Sequence, residues 1–376
     1  MRAVLVSPAL ADPAERGRLH ALAASGVTVA AAVPERWRAP GEREARTVTW
    51  GEDHGIRIVP IKVGGGAMGD LRWSRRGLLR LFRDFRPDVI QVEGEPSSPV
   101  AAATVAAAGR LRLPVVVVGS EGVRRTPSLL QGMRRQRVLA RAAGLAAINR
   151  RALELLTEGR QVPATILPLR GIEAPLVTRR APVEPFQLGF VGRLLPERGL
   201  DTLFQALVLL RGDWMLTVVG AGPAQPALEA LAERVGISSR VVWRGGLPNE
   251  QVTALWPTLH ALAIPSRSTP HWVEPDGRLA LEAMAHGVPV VASACGALPD
   301  AVGDAGLVVE EDNADALTLA LRVLQTDPAR REALAAAGRQ RVLAHFVNAA
   351  LARRYLEFWS RVLGAGDRAA PRETAA

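Results

Sequence analysis

Short β-branched runs alternate with helical segments along most of the chain. Runs at 2–6 (RAVLV), 27–33 (VTVAAAV), 87–92 (PDVIQV), 114–120 (PVVVVGS) and 144–149 (GLAAIN) are apolar at consecutive positions rather than at every second one. Continuous apolarity suits a strand buried on both faces, so these runs predict a parallel sheet covered by helices. A second series at 187–192 (QLGFVG), 215–220 (MLTVVG), 240–245 (RVVWRG), 260–265 (HALAIP) and 288–293 (VPVVAS) predicts a second such sheet. The expected fold class is α/β: two Rossmann-like, doubly wound domains.

Between the two series, residues 178–185 (TRRAPVEP) combine prolines and charges without apolar periodicity, which predicts an interdomain linker. The domains are therefore expected at 1–177 and 186–348. Residues 349–364 place Leu351, Tyr355, Phe358, Trp359 and Val362 on one side of a helix expected to pack back on the N-terminal domain. Residues 365–376 read as a disordered tail.

With 376 residues, 48% of them hydrophobic, each of two domains can bury its own core. Cys295 is the single cysteine and cannot form an internal disulfide, and no charged-then-apolar leader opens the chain, so the expected location is cytoplasmic. The longest weakly polar region, 99–119, is broken by Arg110 and Arg112 and falls short of the ~18 uninterrupted apolar residues of a membrane span. Net charge is +10, carried by arginine, since Lys62 is the only lysine. A GC-rich genome produces that bias as readily as selection does, so the charge is a weak argument for an acidic partner.

Candidate chemistry begins at 273–293 (VEPDGRLALEAMAHGVPVVAS), where Glu274 and Glu282 flank a predicted helix start at Gly277. A loop followed by helical rise puts the carboxylates roughly 8 to 12 Å apart. A helix N-terminus offers free N–H groups and a positive dipole end to a diphosphate, while a carboxylate on either side accepts sugar hydroxyls. A nucleotide sugar has that layout. The plainer alternative is a first-turn acid and a solvated helix position. Asp276 and Arg278, on either side of Gly277, and His271, three residues before Glu274, are further candidate contacts.

Residues 190–203 (FVGRLLPERGLDTL) end a strand at Gly192 and supply Arg193 and Arg198, suited to bidentate phosphate contact at a strand's carboxyl end. Two surface arginines in an arginine-rich chain are the alternative. Residues 218–231 (VVGAGPAQPALEAL) place Gly220 and Gly222 as in a dinucleotide fingerprint, but Gln225 holds the third glycine position and no acidic residue follows at the required strand end. The stretch reads as a close-approach loop rather than a nicotinamide or flavin site. Neither an acidic DxD-type motif nor a His/Cys cluster of ligand spacing is present, so no catalytic metal and no tightly bound cofactor is expected.

Taken in order, GFVGRLLPERG, VVGAGP, VVWRGGLP, Glu274-x7-Glu282 with Gly277, and ACGALPD resemble the C-terminal domain of family 4 retaining glycosyltransferases of the glycosyltransferase B fold. The resemblance implies that Arg193 and Arg198 bind the diphosphate of a UDP- or GDP-linked sugar donor, the latter in place of a more usual lysine. It implies Glu274 on the donor hexose and Glu282 on the ribose, with Asp276 where the family usually has phenylalanine. In the N-terminal half, RPDVIQVEGEPSSPV, GSEGVRR and ILPLRGIEAPL resemble the family's acceptor-domain segments. SPALADPAERG replaces the usual glycine-rich loop, and Ser120 and Glu121 stand where many members have histidine. Front-side displacement with retention is the implied chemistry, so preorganised positive charge at the leaving phosphate is the largest expected contribution of the protein.

The expected acceptor is a glycan, a lipid-linked molecule or a small molecule. Residues 71–87 and 124–141 are basic and partly amphipathic, which suits either peripheral contact with an anionic inner membrane face or sheet-packing helices with solvated arginines. Nucleic acid is not expected, because aromatics and lysines do not interleave the basic runs. Competing functions are a non-catalytic nucleotide-sugar or glycan-binding relative and a glycoside hydrolase, which also uses paired carboxylates.

Overall fold

The computed structural model describes residues 1–38, 44–65, 71–124, 126–173, 175 and 184–369, with the backbone alone at 366–369. Two compact units emerge: one from Met1 to Gly171, rejoined by the chain from Asn348 onward, and one from Ile172 to Val347. The first unit thus ends six residues before the expected 177. Ile172 is the reason: it is buried, its N–H donates to the Phe346 carbonyl (2.8 Å), and it bridges Val347, so the second unit has already claimed the chain there. Residues 178–183 of the expected linker lie outside the described residues.

In the first unit the sheet strands are β1 (Arg2–Val6), β2 (Thr28–Pro34), β3 (Gly51–Asp53), β4 (Ile56–Ile61), β5 (Val89–Glu93), β6 (Val115–Gly119), β7 (Gly144–Ala147) and β8 (Ala164–Ile166). Their order is β8-β7-β6-β5-β1-β2-β4-β3, parallel throughout except for the β3–β4 hairpin. The second unit contains β9 (Phe186–Val191), β10 (Trp214–Val219), β11 (Val241–Trp243), β12 (Ala261–Ile264), β13 (Val290–Ser293) and β14 (Leu307–Val309), all parallel, in the order β11-β10-β9-β12-β13-β14. All ten predicted strands form. The pattern misses β3, β4, β8 and β14, which lie at or next to a sheet edge, where one side stays open and the apolar run is broken, as by Arg57 and Pro60 in β4.

Helices cover both faces of each sheet: α1 (Gly17–Ala24), α2 (Arg75–Phe85), α3 (Pro99–Ala108), α4 (Leu129–Leu139) and α5 (Arg150–Thr157) in the first unit. The second holds α6 (Leu200–Leu209), α7 (Gln225–Arg234), α8 (Asn249–Leu255), α9 (Arg278–Ala285), α10 (Leu298–Val302), α11 (Ala314–Thr326) and α12 (Pro328–His345). Many starts are set by short polar side chains that accept a first-turn N–H, among them Ser98, Ser128, Asn149, Asn313 and Asp327.

The last helix, α13 (Asn348–Ala369), returns to the first unit and buries Leu351, Tyr355, Phe358, Trp359 and Val362 in one cluster with Leu5, Val29, Val89 and Val116. It runs five residues past the expected end at 364; the remaining expected tail, 370–376, lies outside the described residues. A polar thread crosses this core. Trp359 Nε1 donates to Gln91 Oε1 (3.0 Å), Gln91 Nε2 donates to Glu93 Oε1 (3.1 Å), and Arg18 of α1 forms a buried ion pair with Glu93. The Tyr355 hydroxyl donates to the Pro168 carbonyl (3.2 Å), and burial pushes its phenol up to about 12. Among the described residues no helix is long and apolar enough to cross a membrane.

Removing one partner of the buried pair leaves the other charge without compensation. Arg18→Met is expected to lower stability by about 3–5 kcal/mol, measured by urea unfolding, and adding Glu93→Gln to recover part of that loss.

Candidate active site

In the second unit the strand order reverses between β9 and β12, and open α/β sheets bind ligands beyond the carboxyl ends of the strands at such a point. The loops leaving these two strands meet there. Past β9 the chain makes a 3₁₀ turn at Pro196–Arg198 and enters α6 through Gly199, whose φ is 68°. A Cβ at 199 would collide with the carbonyl oxygen of Pro265, the first residue past β12, so the two loops touch backbone to backbone.

That approach brings Arg198 to Glu274. Arg198 Nη1 donates to Glu274 Oε2 (2.6 Å), and its guanidinium lies 4.7 Å from the centre of the Trp272 ring. Ser266 Oγ donates to the same carboxylate oxygen (3.4 Å). Burial pushes the Glu274 carboxyl above the ordinary carboxylate value, while the charge of Arg198 pulls it back toward ionisation. The ACGALPD loop fixes the Glu274 backbone: Ala297 N–H donates to its carbonyl (2.9 Å), and its own N–H donates to Cys295 Sγ (3.5 Å). Gly296, φ 55°, is needed because a Cβ there would strike the Glu274 carbonyl.

Gly277 caps α9 in the left-handed region, and Asp276 Oδ1 accepts the Arg278 N–H (3.1 Å), taking up one of the helix's free first-turn donors. Glu282 forms an ion pair one turn on with Arg278 (2.7 Å) and stays half-buried. Arg193 is exposed, and among the described residues no hydrogen bond or ion pair reaches its guanidinium. The His271 side chain is exposed as well, its backbone N–H held by Thr269 Oγ1 (3.3 Å). The glycines at 220 and 222 serve chain packing, since a Cβ there would strike the carbonyl oxygen of Gly192 or Leu194 in the neighbouring loop, whereas a Cβ at 192 itself would meet open space at a φ of 154°.

This unit thus offers a guanidinium, a buried carboxylate and a helix start converging at a topological switch point. Two family models match the chain: residues 16–170 fit the glycosyl transferase 4-like domain, and residues 178–341 fit glycosyl transferases group 1. The chain belongs to the group 1 glycosyltransferases. Over 156 residues it is 37% identical to the GDP-mannose-dependent alpha-(1-6)-phosphatidylinositol monomannoside mannosyltransferase of Mycolicibacterium smegmatis, covering 40% of this chain and 41% of that protein. Over 250 residues it is 32% identical to the 2-deoxystreptamine glucosyltransferase of Streptomyces kanamyceticus, covering 60% and 62%. Each match spans less than two thirds of the relative.

Among solved structures, Anabaena HepE in complex with UDP superposes with a TM-score of 0.69 at 17% identity, covering 96% of this chain and 99% of that one. Sucrose-phosphate synthase of Thermosynechococcus elongatus gives 0.68 at 20%, covering 97% and 100%. At these identities the likeness carries the fold, the glycosyltransferase B class with its two Rossmann-like units.

Sequence reading of this glycosyltransferase missed Arg267, just past β12, whose Nη1 pairs with Asp312 (3.0 Å) and Nη2 with Asp201, tying the loop to α6 and to the turn after β14. Ser268 similarly gives its N–H (2.6 Å) and Oγ (2.7 Å) to Glu311. It also missed Glu95. In the first unit the N–H groups of Ser120 (2.6 Å) and Glu121 (2.9 Å) and the Ser120 hydroxyl (3.1 Å) all converge on Glu95 Oε1. The one available signal was the carboxylate at a strand end in VEGEPSS. SPALADPAERG folds as two 3₁₀ turns, Ala9–Ala11 and Pro13–Glu15.

Arg198→Ala leaves Glu274 buried without its counter-charge. Because Arg198 is a quarter exposed (25%), the expected loss is about 1–3 kcal/mol near neutral pH. The Glu274 pKa then rises further, so ionising it costs more as pH climbs; the melting-temperature gap from the parent is expected to be small at about pH 5 and to widen toward about pH 8. Gly199→Ala combines a left-handed φ with a backbone collision and is expected to lower stability by more than about 1 kcal/mol, read by thermal unfolding.

Proposed function

We propose that the chain is a retaining glycosyltransferase that moves a hexose from a UDP- or GDP-linked donor to a hydroxylated acceptor. The observation that carries this reading is the Arg198–Glu274 pair at the β9/β12 switch point beside the start of α9. The pair fixes a guanidinium through Glu274, three residues before the Gly277 cap of α9, and a cation beside a helix start is a setting for a diphosphate leaving group. As the glycosidic bond breaks, negative charge grows on the phosphate and positive charge on the sugar. Arg198 and Arg193 would meet the first, and Glu274 the second. Arg193, exposed and unengaged among the described residues, is free to close on the phosphate when a donor arrives. Glu282 is assigned to the nucleotide ribose, with Arg278 released from it to solvent or ligand.

A hydrolase reading fits less well. It needs one carboxyl that gives up a proton and a second that acts as nucleophile or base. Here Glu274 is neutralised by Arg198 and Glu282 by Arg278.

The acceptor is assigned to the first unit, and two features support a lipid-linked molecule at an anionic membrane face. A groove of about 550 Å³ between β4 and α2 has Val59, Ile61, Leu81 and Phe85 along it, with Arg57, Lys62, Arg76 and Arg80 as its cations. Asp84 is its only acid among the described residues, and it lies 3.7 Å from Arg80. At the start of α4, Leu129, Leu130 and Met133 are exposed, with Arg137 and Arg141 exposed further along the chain. Apolar side chains beside an excess of arginines suit an acidic bilayer surface.

A donor panel of GDP-mannose, UDP-glucose and UDP-galactose tests the transferase. Arg198→Ala is expected to lower kcat by about 10²–10³-fold, with Arg198→Lys recovering part of it, and Arg193→Ala to weaken nucleoside-diphosphate binding in calorimetry. Parent protein that binds no nucleoside diphosphate would sink the assignment. Membrane contact is tested by cosedimentation: binding to phosphatidylglycerol vesicles, absent with phosphatidylcholine alone, is expected to fall in Arg76→Glu/Arg80→Glu.

A further inference from the structure

Away from these sites, the fold of the first unit gathers two of the six histidines around one carboxylate. Asp53 ends β3, His54 opens the turn to β4, and His20 projects from α1. His54 Nδ1 lies 2.7 Å from Asp53 Oδ1, and His20 Nε2 lies 3.3 Å from Asp53 Oδ2. His20 Nε2 is buried and makes no hydrogen bond, although buried polar nitrogens almost always have a partner. One ligand atom from each residue falls within 4.8 Å of the others. Around a tetrahedral zinc ion with bonds of about 2.0–2.1 Å, neighbouring ligand atoms stand about 3.3 Å apart, so the observed separations bracket the spacing that such an ion imposes.

We propose that His20, Asp53 and His54 form a zinc site, with water completing the coordination. Two imidazoles and a carboxylate make a borderline donor set that suits Zn²⁺ over Mg²⁺ or Ca²⁺, which take oxygen ligands. The neighbouring Arg16 guanidinium is held by oxygens on three sides: Nε donates to the Leu10 carbonyl (2.8 Å), Nη2 to the Ala11 carbonyl (3.1 Å) and Nη1 to Asp53 Oδ2 (2.8 Å). The last bond orients the carboxylate, as outer-shell donors do at metal sites: it holds Oδ2 beside His20 and leaves Oδ1 to His54. Since β4 runs parallel to β2 and the turn precedes β4, the site lies at the amino ends of these strands, opposite to the ligand-binding edge. Its role is structural: it clamps the β3–β4 hairpin onto α1, where Gly55 already approaches Ala23.

The test uses the full chain, freed of any affinity tag and pre-treated with chelator, titrated with ZnCl₂ alone. Calorimetry is expected to show one ion per chain with a micromolar or tighter Kd, and added zinc to raise the unfolding midpoint, since the ion binds only the assembled site. His20→Gln and His54→Asn are each expected to weaken binding by at least about tenfold and to abolish the d–d absorption that Co²⁺ gives in the parent. His54 is exposed (79%), and asparagine tolerates its left-handed φ of 46°, so the His54→Asn variant folds and its loss of binding reads the site itself. No saturable zinc binding below about 1 mM, or parental affinity in either variant, overturns the proposal.

Discussion

A carboxylate that burial pushes toward its neutral form, held ionised by one guanidinium, sets the geometry of the second unit. Glu274 cannot stay charged in its pocket unaided, because desolvation penalises the anion. Arg198 supplies the compensation, but only from a loop that leaves a different strand. For that loop to arrive, Gly199 must pass against the Pro265 carbonyl and Gly296 against the Glu274 carbonyl. The glycines of these motifs are therefore the condition for the charge pair.

The same logic recurs along the carboxyl edges of both sheets, where loops without regular hydrogen bonding are fixed by charged side chains. Arg267 spans Asp201 and Asp312, Glu311 takes two donors from Ser268, and Glu95 takes three from Ser120 and Glu121. Loops held in this way keep their shape without secondary structure of their own, so a ligand meets preset positions and its binding energy is not spent on ordering them. In the first unit the task falls partly to a distant segment. Arg18, Glu93, Gln91 and Trp359 join α1, β5 and the returning α13 through a buried polar thread, so a helix 268 positions away in sequence stabilises the strand that ends beside Glu95.

Periodicity determined the class of this fold. Runs such as AVLV and VVVVG are apolar at every position, and strands covered on both faces make such runs favourable, as in parallel sheets with helices on either side. The helix start between Glu274 and Glu282 and the charged turn of RLLPERG were legible because short-range geometry and charge suffice to mark them. The apolar face of α13 was equally plain, since Tyr355, Phe358 and Trp359 repeat with the helical period.

Tertiary structure decided what depends on partners far apart in the chain. Sequence assigned Arg198 to a phosphate and Glu274 to a sugar, each on its own; only the fold, which sets β9 beside β12, makes them partners 76 positions apart. Edge strands such as β4 escaped notice because their pattern reflects one covered face, and which strands become edges is settled by sheet order. The boundary at Gly171 rather than 177 follows from the bridge of Ile172 to Val347. The His20–Asp53–His54 cluster has no local signature, since α1 and the β3–β4 turn meet only after the sheet has formed. Burial patterns are carried by neighbours in the chain and can be read from it, whereas charge pairing and side-chain convergence belong to contacts that exist only once the chain has folded.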